Sequence, residues 1–155
     1  MLMLKNIKKY EFCIIVPTYH EEKNILNLKL ALNKNLAKNN YFLCFVDDSL
    51  NNLTKNKINS LFSKKNTKYL RCKNNDRCAA VKYGLDWCFK NIETTIFIEM
   101  DADLSHHPED IRKNLGIIFS QNYNLIIFSK YLVRSNQIGR QIDRKFISFF
   151  VSRVC

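Results

Sequence analysis

Asp101 and Asp103 flank one small residue, Ala102, directly after the apolar run Thr94–Met100. Two carboxylates at this spacing, on a strand-to-loop transition, can address one hard cation, directly or through water. Mg²⁺ and Mn²⁺ prefer oxygen ligands, and Mg²⁺ usually keeps several waters while sharing substrate phosphates. Such an ion neutralises a departing diphosphate and speeds cleavage of the bond to it. A D-x-D pair alone does not distinguish this from a solvated acidic loop. Its company does more. Pro17-Thr18-Tyr19-His20-Glu21 and Asp47-Asp48 also follow apolar runs. Open α/β sheets bind ligands beyond the carboxyl ends of their strands. Acids after three strands, in a strongly basic chain, mark such an edge.

The neighbouring residues carry weaker signals. His106 and His107 suggest zinc, but adjacent histidines usually point different ways and no third soft ligand has suitable spacing. A loop-and-cap role before Pro108 is the better expectation. His20 precedes two acids at a helix start, so capping is expected there rather than base catalysis. Tyr19 either stacks on a nucleobase or packs at a strand end. Lys130, Arg134, Arg140, Arg144 and Lys145 either bind phosphates or are simply solvated. Bulky apolar residues between and after them (Phe146, Ile147, Phe149, Phe150, Val151) also suit a membrane-surface helix or one packed on a core.

These residues need a scaffold, and the apolar pattern alternates short β runs with longer helical stretches. Strands are expected at Phe12–Val16, ended by Pro17, and at Tyr41–Val46, Thr67–Arg71, Thr94–Met100 and Leu125–Phe128. A helix from Glu21 to about Lys38 carries Ile25, Leu28, Leu32 and Leu36 at three- and four-residue spacing, with acids in its first turn. Thr54 can cap a short helix carrying Ile58, Leu61 and Phe62. Asp76 can cap the next, with Ala80, Val81, Gly84, Leu85 and Cys88 on one face. Pro108 suits the first turn of a helix bearing Ile111, Leu115 and Ile118, and Gly139–Cys155 reads as a basic helix. Strands alternating with helices imply right-handed βαβ units and a mostly parallel sheet.

Length and composition bound the rest. At 155 residues, 46% hydrophobic and 25% charged, the chain makes one soluble domain with a real core. That excludes a disordered tail, a collagen-like fibre and a disulfide miniprotein. The formal charge of +11 suggests an anionic partner, but abundant Lys and Asn also follow from A/T-rich codons. No helix-turn-helix, stacking platform or basic arm supports nucleic acid. The six cysteines (13, 44, 72, 78, 88, 155) show no C-x-x-C pair. We read them as reduced and structural, which points to the cytosol. Neither a secretory signal nor a membrane span is evident.

From Phe12 to about Ser148 the chain resembles the family 2 inverting glycosyltransferases of the GT-A fold. Within them it is most similar to the dolichol-phosphate (polyprenyl-phosphate) mannose synthases. The motifs are I-V-P-T-Y-H-E-E-K-N-I (15–25), F-V-D-D (45–48), A-A-V-K-Y-G-L (79–85), M-D-A-D-L-S-H-H-P (100–108) and, more faintly, R-K-F-I-S (144–148). The resemblance implies a three-layer, Rossmann-like GT-A nucleotide-sugar-binding domain. Its double histidine favours mannose from GDP-mannose, moved with inversion to a polyprenyl (dolichyl) phosphate. Pro17, Tyr19 and Glu21 would line the nucleotide pocket, with Val46 and Asp48 at the base and ribose. Asp101, Ala102 and Asp103 would meet the diphosphate and its Mg²⁺ or Mn²⁺, with Ser105 near a ligand position. Lys130 stands where the family usually has Arg, and Arg144 matches a basic residue that contacts donor phosphates; Asp101, Asp103 and Arg144 would be the catalytic set. The implied setting is the cytosolic face of a membrane, peripherally bound, with a membrane-anchoring partner subunit and no nucleic acid.

The chain departs from the family at D-D-S-L-N-N-L-T (47–54), at Asp76 and Cys78 in a usually glycine-rich turn, and at I-F-S-K-Y (127–131). Each lost glycine removes an allowed φ > 0 or a close backbone approach. The chain also stops where the family continues with acceptor-side helices, which implies a partial domain over residues 1–155. Two alternatives stand beside this reading. One is a related transferase using UDP-glucose or UDP-N-acetylglucosamine. The other is an inactive remnant or subunit serving as a binding module.

Overall fold

The computed structural model describes residues 8–73, 76–120 and 123–128. The chain divides into two units, Met1–Ser120 and Gln121–Cys155. Every helix and strand below belongs to the first. In the second, residues 123–128 form neither, so the strand expected at Leu125–Phe128 is absent. Four apolar residues in a row do not by themselves specify a strand. Lys130, Arg134, Arg140, Arg144, Lys145 and the helix expected at Gly139–Cys155 lie outside the described residues.

A four-stranded parallel sheet organises the first unit, in the order β4-β3-β2-β6. Its strands are β2 (Phe12–Thr18), β3 (Tyr41–Asp47), β4 (Thr67–Arg71) and β6 (Phe97–Glu99). A two-residue pair, β1 (Lys8–Lys9) with β5 (Ile92–Glu93), stands beside it. The sheet grows from β2 through β3 to β4, then returns to place β6 on the other side of β2. That reversal is the switch point beside which open α/β sheets leave a crevice.

The alternation of side chains builds a core on each face. Phe12, Ile14, Val16, Leu43 and Phe45 pack under α1 (Ile25–Leu36) and α2 (Leu53–Leu61), joined by Met100 and by Ile111 of α4 (Pro108–Lys113). Cys13, Ile15, Phe42, Cys44 and Val46 face α3 (Arg77–Asn91) through Ala80 and Cys88. The result is three layers. Gly84 sets the seat of α3, because an added Cβ would stand 2.7 Å from Val46 Cγ2 and 2.9 Å from Ile15 Cγ2. Cys13, Cys44, Cys72 and Cys88 are buried free thiols and Cys78 is an exposed one, while Cys155 lies outside the described residues.

Several boundaries differ from expectation for local reasons. β2 runs through Pro17 to Thr18. Odd residues of β2 face β6, as the bonds from Cys13 N–H to Ile96 O and from Met100 N–H to Ile15 O show. β6 pairs only with Cys13–Ile15, so the missing N–H of Pro17 falls beyond that ladder. The strand expected over Thr94–Met100 shortens to β6, because Thr94 turns its hydroxyl to Glu11 O and accepts from Ile96 N–H. The helix after Pro108 breaks at Asn114, whose side-chain amide donates to Asp110 O, and resumes as α5 (Leu115–Phe119).

Candidate functional site

A cleft of about 390 Å³ opens beyond the carboxyl ends of β2, β3 and β6. Pro17, Thr18, Tyr19, Glu21, Asp48, Asp101, Ala102 and Asp103 line it, with Asp76, Arg77 and Ala80 from the start of α3. Seven of the residues expected at the nucleotide-sugar site, Pro17, Tyr19, Glu21, Asp48, Asp101, Ala102 and Asp103, therefore share one cleft.

The loop after β2 does not fold as the sequence suggested. α1 begins at Ile25, so Glu21 and Glu22 precede the helix rather than occupy its first turn. His20 caps nothing. It sits at φ 55°, in the left-handed region, with its N–H donated to Ser49 Oγ at 2.8 Å. Glu21 is held by its N–H to Thr54 Oγ1 (3.0 Å) and accepts the Asn24 amide at 2.6 Å on Oε2. Thr54 is buried and serves as this tether, not as a cap; Asn52 is the residue that precedes α2. Tyr19 is half-exposed at the cleft, its ring edge-on to His20 with centroids 4.5 Å apart.

The loop after β3 hangs on Asp47, which has no exposed surface. Its Oδ1 accepts from Thr18 Oγ1 at 3.1 Å and from the amide and hydroxyl of Ser49. Its Oδ2 accepts from Tyr69 OH at 2.7 Å and lies 3.4 Å from Arg71 Nη1. Arg71 also donates to Ser49 O and to Asn51 O. Asp48 is thereby aimed at the cleft, where its Oδ2 accepts from Asp76 N–H at 3.1 Å. Ser49, at a position where the resemblance expects glycine, does not have a positive φ. Among the described residues only His20 and Leu104 are non-glycine residues of that kind, so Asp76 and Cys78 are unstrained too. Asp76 caps α3 as expected, accepting from Cys78 N–H.

The loop after β6 gathers the D-x-D pair around Ser105. Its Oγ lies 2.7 Å from Asp103 Oδ1 and 3.2 Å from Asp101 Oδ2. Burial pushes the Asp103 carboxyl up, but the hydroxyl and amide of Ser105, with the charge of His106, outweigh it and hold the group below its ordinary value. Glu21 moves the other way. Burial raises it, the Asn24 amide pulls back, and repulsion from Asp103, Asp101 and Glu22 adds to the rise. His106 Nδ1 stands 3.4 Å from Asp101 Oδ2, and His107 caps α4, its Nδ1 accepting from Glu109 N–H at 3.1 Å.

Two oxygen-bearing acids beside a hydroxyl suit a hard divalent ion that fills its shell with water and phosphate oxygens. Among the described residues no three His, Cys, Asp or Glu side chains form a fuller cage. Val46 departs from expectation. It is fully buried against Gly84 and does not line the cleft. Lys130 and Arg144 lie outside the described residues. The sequence motifs assign Arg77 no role, yet its Nη2 lies 2.6 Å from Asp101 Oδ1 and 2.6 Å from Glu99 Oε1. Only its place at a helix start next to Asp76 hinted at it.

Comparison with known proteins agrees with this architecture. Residues 13–152 match the family model described as Glycosyl transferase family 2. A dolichol-phosphate mannosyltransferase of Pyrococcus furiosus is 33% identical over 136 residues, which cover 87% of this chain and 37% of that protein. The chain thus spans little more than a third of that relative's length. The crystal structure of S. aureus TarS 1-349 superposes with a TM-score of 0.54 at 20% identity, over 79% of this chain and 40% of that one. That likeness bears on fold alone, and the fold is GT-A, a Rossmann-like α/β sheet with helices on both faces.

Proposed function

The chain belongs to glycosyl transferase family 2, and from that premise we propose that it moves mannose from GDP-mannose to a polyprenyl (dolichyl) phosphate, with inversion and with a divalent cation. The observation that carries the reading is the convergence of three strand ends on one cleft lined by Tyr19, Glu21, Asp48, Asp101 and Asp103. The identity with a mannosyltransferase supports the choice of sugar. Peripheral attachment at the cytosolic face of a membrane belongs to the same proposal. Among the described residues no helix is long and apolar enough to cross one.

Pro17, Tyr19 and Asp48 bind the nucleoside, with Tyr19 offering a half-exposed ring for stacking. Asp101, Ala102 and Asp103 face the diphosphate. Ser105 orients both carboxylates from one hydroxyl. Asp101 and Asp103 would hold Mg²⁺ or Mn²⁺, which when bound supplies neutralising charge for the leaving diphosphate. A lipid phosphate is ionised near neutral pH, so it attacks the anomeric carbon without a strong general base from the protein. Attack opposite the leaving group inverts the configuration.

Calorimetry tests the site. The chain is expected to bind GDP only with Mn²⁺ present, and Asp101→Ala/Asp103→Ala to weaken that binding by about tenfold or more. No heat from the native chain, or unchanged heat from the double variant, counts against it. Competition by UDP as effective as by GDP would redirect the donor assignment. Nucleotide binding without transfer of labelled mannose to a short polyprenyl phosphate would favour a binding module.

A further inference from the structure

Five carboxylates line the cleft, those of Glu21, Asp48, Asp76, Asp101 and Asp103, and among the described residues one cation joins them, Arg77. A nucleoside diphosphate is itself strongly anionic, so this wall repels it unless positive charge arrives with it or is already there. Arg77 is the first residue of α3, and its side chain is 56% exposed. One terminal nitrogen, Nη2, meets both Glu99 and Asp101. The other oxygen of Asp101 faces Ser105 and His106. A cation approaching Asp101 through Oδ1 must therefore share or displace the guanidinium. Half-exposed ion pairs exchange readily, and a planar guanidinium fork suits phosphate oxygens better than an ammonium does.

We propose that Arg77 is the resident counter-ion of the cleft. The incoming diphosphate draws its guanidinium off Asp101, and that exchange frees the carboxylate for the divalent cation. The inference rests on the nucleotide-sugar reading above and adds a residue to it. Its consequence is linkage: nucleotide and cation each raise the other's affinity, by the same factor in both directions.

Mn²⁺ binding to the 155-residue chain, followed by electron paramagnetic resonance with and without GDP, tests this. Arg77→Gln is expected to bind Mn²⁺ alone about fivefold more tightly than the native chain, and GDP more weakly. The gain in Mn²⁺ affinity on adding GDP should shrink accordingly. Arg77→Lys, which keeps charge without the fork, should fall between. Lys82→Gln removes the same charge from α3 at an exposed pair with Asp86, outside the cleft lining, and should follow the native chain. Native Mn²⁺ affinities in Arg77→Gln, with GDP bound normally, overturn the exchange and leave the functional reading standing. An equal change in Lys82→Gln also overturns it, by making the effect one of net charge. GDP binding by none of these chains overturns the functional reading and the exchange together.

Discussion

Asp47 lies out of reach of water and of any ligand, yet it decides where Asp48 points. A buried carboxylate is tolerated because Thr18, Ser49, Tyr69 and Arg71 all turn toward it. Removing it takes the shared acceptor from three hydroxyls and the paired charge from Arg71, which keeps its bonds to Ser49 O and Asn51 O. Asp47→Ala is expected to lower unfolding free energy by about 3 kcal/mol, read from urea denaturation. It should also weaken nucleotide binding, because Asp48 loses its support. Ser105 plays a lighter part. Asp103 is held below its ordinary value of 3.8, so it contributes stability above that pH and loses it as pH falls through the lower folded value. Ser105→Ala should raise the Asp103 carboxyl and bring that acid loss on at higher pH, measured by carbon NMR titration of the carboxylate. The aspartates were legible in the sequence because each follows an apolar run. Arg77 was not, since its partner Asp101 is 24 residues away and only the fold brings the two together. Val46 misled for the opposite reason. It neighbours Asp47-Asp48 in sequence, but strand alternation turns it to the α3 face.

The elements themselves were largely readable, and β4 and the cap of α3 fall where their residues suggest. Boundaries failed where a polar side chain took a partner outside the regular ladder. Asn114 breaks a helix by bonding Asp110 O, Thr94 shortens a strand by bonding Glu11 O and Ile96 N–H, and Glu21 lies before a helix, at the cleft, with Asn24 as its partner. The most exacting contact between elements is at Gly84. With 2.7 Å between its added Cβ and Val46 Cγ2, alanine forces a shift, either of the buried Val46 and Ile15 methyls or of α3. Gly84→Ala is expected to cost about 1–3 kcal/mol in urea denaturation. Gly116 has no neighbour within 4 Å of the same added carbon, so Gly116→Ala should be neutral or mildly stabilising, as expected at an open helical position.

At the scale of the whole molecule, a chain of net charge +11 presents an acidic mouth. On the proposed reading, diffuse positive charge draws an anionic ligand or surface inward, and the cleft's carboxylates favour an anion that arrives with a cation. Salt should therefore slow nucleotide association while leaving its dependence on Mn²⁺ intact, a distinction that stopped-flow fluorescence of a labelled GDP resolves. The sulfur chemistry beneath α3 offers a second view of the same body. Cys13 and Cys88 lie 3.4 Å apart in a dry seam with Cys44, whereas Cys78 stands in the open. An alkylating reagent should mark Cys78 at once and reach the sealed thiols only when the helix lifts. Stepwise mass gain would then time the breathing of one layer, and a bound nucleotide gripping Arg77 at the tip of that helix should lengthen the interval.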